Sequence, residues 1–124
     1  MKKLFGKFIK GKQKYLKMPE WNEVVELLHD KNLVFPGSSV EIVIYSEDKS
    51  RRCIVLKSDN GFYTYRFEQI YQYTEEEWIY FGNDSDAVPG FWTDVESRNT
   101  SIFSSLEETV KELEQEGEYK TYFS

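Results

Sequence analysis

The sequence predicts an α+β fold, a single antiparallel β-sheet (a meander of four to six strands) with two main helices packed on one face. Three observations carry this reading. Residues 39–81 hold four runs rich in β-branched and aromatic residues, Ser39–Ser46, Arg51–Lys57, Phe62–Tyr73 and Glu76–Phe81, the residue types that fit a pleated, half-buried surface. The links Glu47-Asp48-Lys49-Ser50 and Ser58-Asp59-Asn60-Gly61 carry turn chemistry. Amphipathic stretches at 19–30 and 104–116 stand on either side of the meander.

Each element has its own signal. In 19–30, Pro19 suits a first helical turn, where its missing N–H is no loss. Trp21, Val24, Val25 and Leu28 recur at i, i+3, i+4 and i+7, and Asn32 is a stop signal. Pro36-Gly37 is a turn dipeptide. In the first strand Val40, Ile42 and Ile44 share a face by period two. In the third, Tyr63, Tyr65, Phe67, Tyr71 and Tyr73 share one face. Two readings of that face stay open: core beneath the helices, or a partly exposed binding surface, since tyrosine hydroxyls need partners when buried. Phe91–Glu96 reads as a short further strand and Glu118–Ser124 as a last strand closing an edge, with Tyr119, Thr121 and Phe123 alternating. In 104–116, Ser104 with Glu107, or Ser105 with Glu108, has capping-box spacing. Leu106, Val110 and Leu113 form the buried stripe, and Gly117 is the stop. The expected core is Val24, Leu28, Ile42, Ile44, Ile54, Leu56, Leu106, Val110 and Leu113.

Charge divides the chain into a basic amphipathic N-terminal arm, 1–17, and a single acidic α+β domain, 18–124. The arm holds seven lysines and no acid. The rest holds nine basic residues and all 22 acids, a formal charge of −13. An acidic body disfavours nucleic acid, which rewards basic surface, and suits a basic partner. In the arm, Leu4, Phe5, Phe8, Ile9, Tyr15 and Leu16 would fall on one side of a helix. Lys3, Phe5, Lys7, Phe8 and Ile9 would then be the contacts of a peripheral anchor on an anionic membrane surface. Docking on a partner groove and a mobile or self-packed arm with a solvated lysine face are the other two readings. No apolar stretch of secretory length follows the first lysines, so a signal peptide is not expected. The single cysteine, Cys53, permits no internal disulfide, and a cytoplasmic location is expected.

Chemistry is sparse. One histidine, His29, and one cysteine supply neither a zinc ligand set nor a nucleophile–base pair. There is no glycine-rich phosphate loop. Asn83-Asp84-Ser85-Asp86 opens like a calcium loop, but Pro89 stands at the sixth place from Asp84 and Val95 at the twelfth, where glycine and glutamate are needed. No cofactor, metal or enzymatic activity is therefore expected. Aromatics do stand beside acids: Trp78 beside Glu75, Glu76 and Glu77, and Trp92 near Asp94 and Glu96. Such pairings make a protein interface, the ring giving affinity and the charge steering encounter. Glu76, Trp78, Asp84, Asp86, Trp92, Asp94 and Glu96 are the expected partner contacts.

The order helix, β meander, helix and short strand, with Gly90-Phe91-Trp92 followed by Ser101-Ile102-Phe103-Ser104-Ser105-Leu106-Glu107-Glu108, resembles small immunity proteins of bacterial polymorphic toxin systems. The resemblance assigns no particular family and transfers no functional residue. It implies a cytosolic inhibitor that binds a cognate toxin domain. The alternatives are a membrane or envelope accessory protein anchored through 1–17, and a small-ligand-binding domain with an aromatic pocket.

Overall fold

The computed structural model describes residues 18–81, 88–95 and 101–124. The fold is α+β with one four-stranded antiparallel sheet, as the sequence leads one to expect. Strands β1 (Ser38–Tyr45), β2 (Arg51–Ser58), β3 (Tyr63–Gln72) and β4 (Gly90–Asp94) lie in the order β1-β2-β3-β4. The helices are α1 (Trp21–Leu28), α2 (Glu75–Phe81), α3 (Leu106–Leu113) and α4 (Gly117–Tyr122). None of the helices among the described residues is long and apolar enough to cross a membrane. Among the described residues the chain gathers into two compact units: 18–28 with 71–81 and 88–91, and 29–70 with 92–95 and 101–124.

The larger unit is built on two hairpins. At the first turn one carboxylate oxygen of Asp48 accepts from the Ser46 hydroxyl at 2.9 Å, the Ser50 amide at 3.0 Å and the Ser50 hydroxyl at 2.8 Å. These bonds, chiefly those from Ser50, hold the carboxyl below its usual pKa. The second turn closes with the Gly61 amide on the Ser58 carbonyl at 2.9 Å, Gly61 having φ +89°, a left-handed conformation glycine adopts without strain.

Strand β2 is buried on both faces. On one side lie Cys53, Val55, Phe67 and Leu113, with Ile42, Ile44, Leu106, Tyr119 and Phe123 packed against them. Helix α3 begins at Ser105, whose hydroxyl accepts from the Glu108 amide at 3.1 Å, which selects the second of the two capping spacings. Burial raises the Cys53 thiol to about 12, so it stays neutral and unreactive in the fold.

Three elements differ from the sequence reading. Glu76–Phe81 is not a strand but belongs to α2. Thr74 and Glu77 form a reciprocal cap, the Glu77 amide donating to the Thr74 hydroxyl at 3.2 Å and the Thr74 amide to the Glu77 carboxylate at 2.9 Å. With Glu75, Glu76 and Glu77 at the positive end of the helix dipole, the start signal outweighs the β propensity of Trp-Ile-Tyr-Phe. Glu118–Ser124 is likewise not a strand. Residues Gly117–Tyr122 are helical, and Tyr119 and Phe123 stack at 5.8 Å. A spacing of four satisfies both period two and the helix, so alternation could not separate them. Third, Val40 does not share a face with Ile42. Val40 pairs with Leu56 and Ile42 with Val55, a register shift at Glu41. Paired residues share a face, so the bulge sends Val40 to the side opposite Ile42 and Ile44.

On that opposite side lies a buried ion pair. Tyr45 pairs with Arg52, and Arg52 with Glu68, across three strands. Arg52 is 0% exposed and Glu68 4%. The Arg52 Nε donates to Glu68 Oε1 at 2.7 Å, and one terminal nitrogen lies at 2.7 Å from the same oxygen. The guanidinium also donates to the carbonyls of Lys31 at 2.7 Å and Asn32 at 3.1 Å, and lies 4.1 Å from the Trp92 ring centre. Glu68 Oε2 takes Arg66 at 3.0 Å. Breaking a buried pair leaves an uncompensated charge, at a cost of about 3–5 kcal/mol, whereas replacing both partners with apolar residues is often neutral. Arg52→Met is therefore expected to lower chemical-denaturation stability by about that amount, and Arg52→Met with Glu68→Leu to recover most of it. A single variant that unfolds at the wild-type midpoint would remove the pair from the list of folding constraints.

Candidate protein-interaction site

The smaller unit presents a chain of aromatic rings. Tyr71, near the end of β3, lies 5.2 Å from Phe91 on β4 and 6.3 Å from Tyr73. Tyr73 lies 5.9 Å from Phe91 and 5.5 Å from Phe81, and Phe81 meets Tyr80 at 4.9 Å. Two backbone constraints bring these rings together. The Tyr73 amide donates to the Pro89 carbonyl at 2.8 Å. At Gly90 a Cβ would stand 2.5 Å from the Tyr71 carbonyl oxygen, so only glycine lets β4 approach there. Gln72, between the two tyrosines in sequence, donates its side-chain amide to the Pro19 carbonyl at 3.5 Å.

Packing does not bury these rings. Tyr80 is 77% exposed, Ile79 50%, Phe81 49%, Phe91 42% and Tyr71 38%. Scattered surface hydrophobics are ordinary, but contiguous ones mark interaction surfaces. Helix α2 explains the arrangement. Its seven residues direct Trp78 into the interior, which leaves Ile79, Tyr80 and Phe81 outside. Glu75 and Glu76 are exposed on the same helix. The Tyr71 hydroxyl donates to the Glu77 carboxylate at 2.7 Å. That bond chiefly raises the Tyr71 phenol above its usual pKa. The Thr74 amide and then the Tyr71 hydroxyl hold Glu77 below the usual carboxylate range.

The expected contact residues fall in different places. Glu76 is exposed. Trp78 and Trp92, expected as anchors, are buried at 6% and 9% and so cannot serve as surface anchors in this conformation. Asp94 is ion-paired with Arg66. Asp84, Asp86 and Glu96 lie outside the described residues, as do Lys3, Phe5, Lys7, Phe8 and Ile9. The open question of the aromatic strand face divides along the strand: Phe67 is buried, Tyr63 and Tyr65 pack on the core, and Tyr71 reaches the surface. Sequence reasoning missed Tyr80, Phe81 and Phe91 as surface aromatics. The Thr-x-x-Glu spacing at 74–77 is the signal for Tyr80 and Phe81, because a helix beginning there cannot bury four consecutive apolar residues; Phe91, on β4, has no such signal.

Rings with neighbouring carboxylates accept an apolar, cationic counterpart, through burial and through cation–π attraction. His29 lies 4.4 Å from Tyr45, ring to ring, and 3.6 Å from Asp30. No nucleophile among the described residues is bonded to it. Among the described residues no group of three or more histidine, cysteine, aspartate or glutamate side chains is placed to hold a metal ion.

The Tyr71–Glu77 bond gives a pH test with a fixed sign. The carboxylate stabilises the neutral phenol, so Glu77→Gln should lower the Tyr71 pKa toward the ordinary tyrosine value. Spectrophotometric titration of the variant against wild type reads the shift, and an unchanged titration would break the assigned contact.

Comparison with protein-family models gives no match, and no match is found among curated proteins or solved structures.

Proposed function

We propose that this chain is a non-enzymatic, immunity-protein-like inhibitor that neutralises a cognate bacterial toxin domain by binding it through the aromatic and acidic surface of Tyr71, Glu75, Glu76, Tyr80, Phe81 and Phe91. One observation carries the reading: five large apolar side chains between Tyr71 and Phe91 are 38–77% exposed, beside two exposed carboxylates. Aromatic anchors supply most of the binding energy of an interface, and charge around them sets the association rate and the choice of partner. The body's charge of −13 favours a basic partner by long-range attraction.

The anchor assignment has a direct test. Full-length chain carrying an affinity tag is used to capture its partner from native cells, and the captured domain is then titrated against variants. Tyr80→Ala with Phe81→Ala should weaken binding about 30-fold or more, since truncating one hot-spot residue costs at least about 2 kcal/mol. Glu75→Gln with Glu76→Gln should slow association and flatten its salt dependence while leaving dissociation nearly unchanged. Wild-type affinity in the Tyr80/Phe81 variant would move the interface elsewhere. A captured domain whose toxicity the chain does not relieve would overturn the inhibitory reading.

A further inference from the structure

We propose that in the unbound chain this surface is occupied by the chain's own basic segment, residues 1–17, which competes with the partner. The inference rests on the binding surface assigned above and names a second occupant for it. Three observations support it.

Charge comes first. The segment contains seven lysines and no acid, whereas the surface carries Glu75, Glu76 and Glu77 on one short helix. Opposite charges at close range attract even where salt screens longer distances. The second is apolar complementarity. Leu4, Phe5, Phe8 and Ile9 are interleaved with Lys3, Lys7 and Lys10, the chemistry that exposed rings with flanking carboxylates accept. The third is attachment. The Pro19 carbonyl accepts from Gln72, so the point from which the segment is tethered lies beside the last residue of β3, next in sequence to Tyr71 and Tyr73. Seventeen residues reach at most about 56–61 Å when extended, ample to return over the neighbouring helix. Tethering of this length supplies an effective concentration on the order of millimolar, so even a weak contact is populated. The partner then binds with an apparent affinity reduced by the fraction of open surface.

The test is zero-length carbodiimide coupling of lysine to carboxylate on dilute full-length protein, followed by peptide mapping of the monomer band. Coupling of Lys2, Lys3, Lys7 or Lys10 to Glu75 or Glu76 is expected. It should fall several-fold in high salt and in the Tyr80→Ala, Phe81→Ala variant. Coupling in equal yield to the exposed Glu107, Glu112 and Glu114 would overturn the proposal by showing nonspecific attraction. Coupling found only in a dimer band would overturn it in favour of a second copy. The function reading fails separately. Partner binding that is weakened by the Tyr80/Phe81 changes, together with no coupling at Glu75 or Glu76, removes only the internal competitor. Specific coupling with partner binding unaffected keeps the internal contact and removes the interface.

Discussion

The Arg52–Glu68 pair is the constraint from which the larger unit is arranged. A guanidinium at 0% exposure is tolerable only if its donors are met. Glu68 meets two of them, and the carbonyls of Lys31 and Asn32 meet two more. Those carbonyls belong to a connector in which Asp30 and Asn32 both have φ near +60°, a conformation that asparagine and aspartate adopt more readily than other side-chain-bearing residues. The Tyr45 hydroxyl adds a second tie, donating to the Asp30 carboxylate at 2.8 Å and accepting from the Asp30 amide at 3.0 Å. One buried cation therefore fixes strand register and the path of the chain entering the sheet.

The same economy of charge shapes the surface. Arg51 is held by Glu118 at 2.6 Å and lies 3.7 Å from the Tyr122 ring centre. Arg66 is held by Glu68 and Asp94. Three arginines of the sheet are thus engaged within the fold, while Glu75 and Glu76 on α2 remain exposed. Exposed acids next to exposed rings, with these three arginines engaged elsewhere, give that surface a negative potential. The lysine-rich first seventeen residues are the chain's own nearest match to that potential.

Much of the fold was legible because its elements carry local signals. The turns at Asp48 and Gly61, the cap at Ser105 and the stripe ending in Leu113 each follow from residue types at fixed spacing. What was illegible depended on competition between signals. The apolar run after Glu77 has strand propensity, and only the cap at Thr74 marks it as helix. Tyr119 and Phe123 fit both periods. The bulge at Glu41 leaves no compositional trace, so period two places Val40 on the face opposite to the one it occupies. Burial of Arg52 had a faint signal: Arg52, Ile54 and Leu56 alternate on one face of β2, and an arginine in line with two core residues needs a carboxylate across the sheet. The candidate surface was half legible. Glu76 is among the contacts the sequence leads one to expect, whereas Glu75 and the exposed rings Tyr71, Tyr80, Phe81 and Phe91 are not. Tryptophan is the usual choice for an anchor, and here Trp78 and Trp92 serve the interior.

Hydrogen exchange of the full-length chain, free and bound to its captured partner, tests the central claim most directly. The account predicts that partner-induced slowing includes Tyr71–Phe81 and the amides around Phe91, while β2 exchanges slowly in both states because it is buried on both faces. Slowing concentrated on Ser38–Tyr45 or on Leu106–Leu113, with Tyr71–Phe81 unchanged, would contradict it.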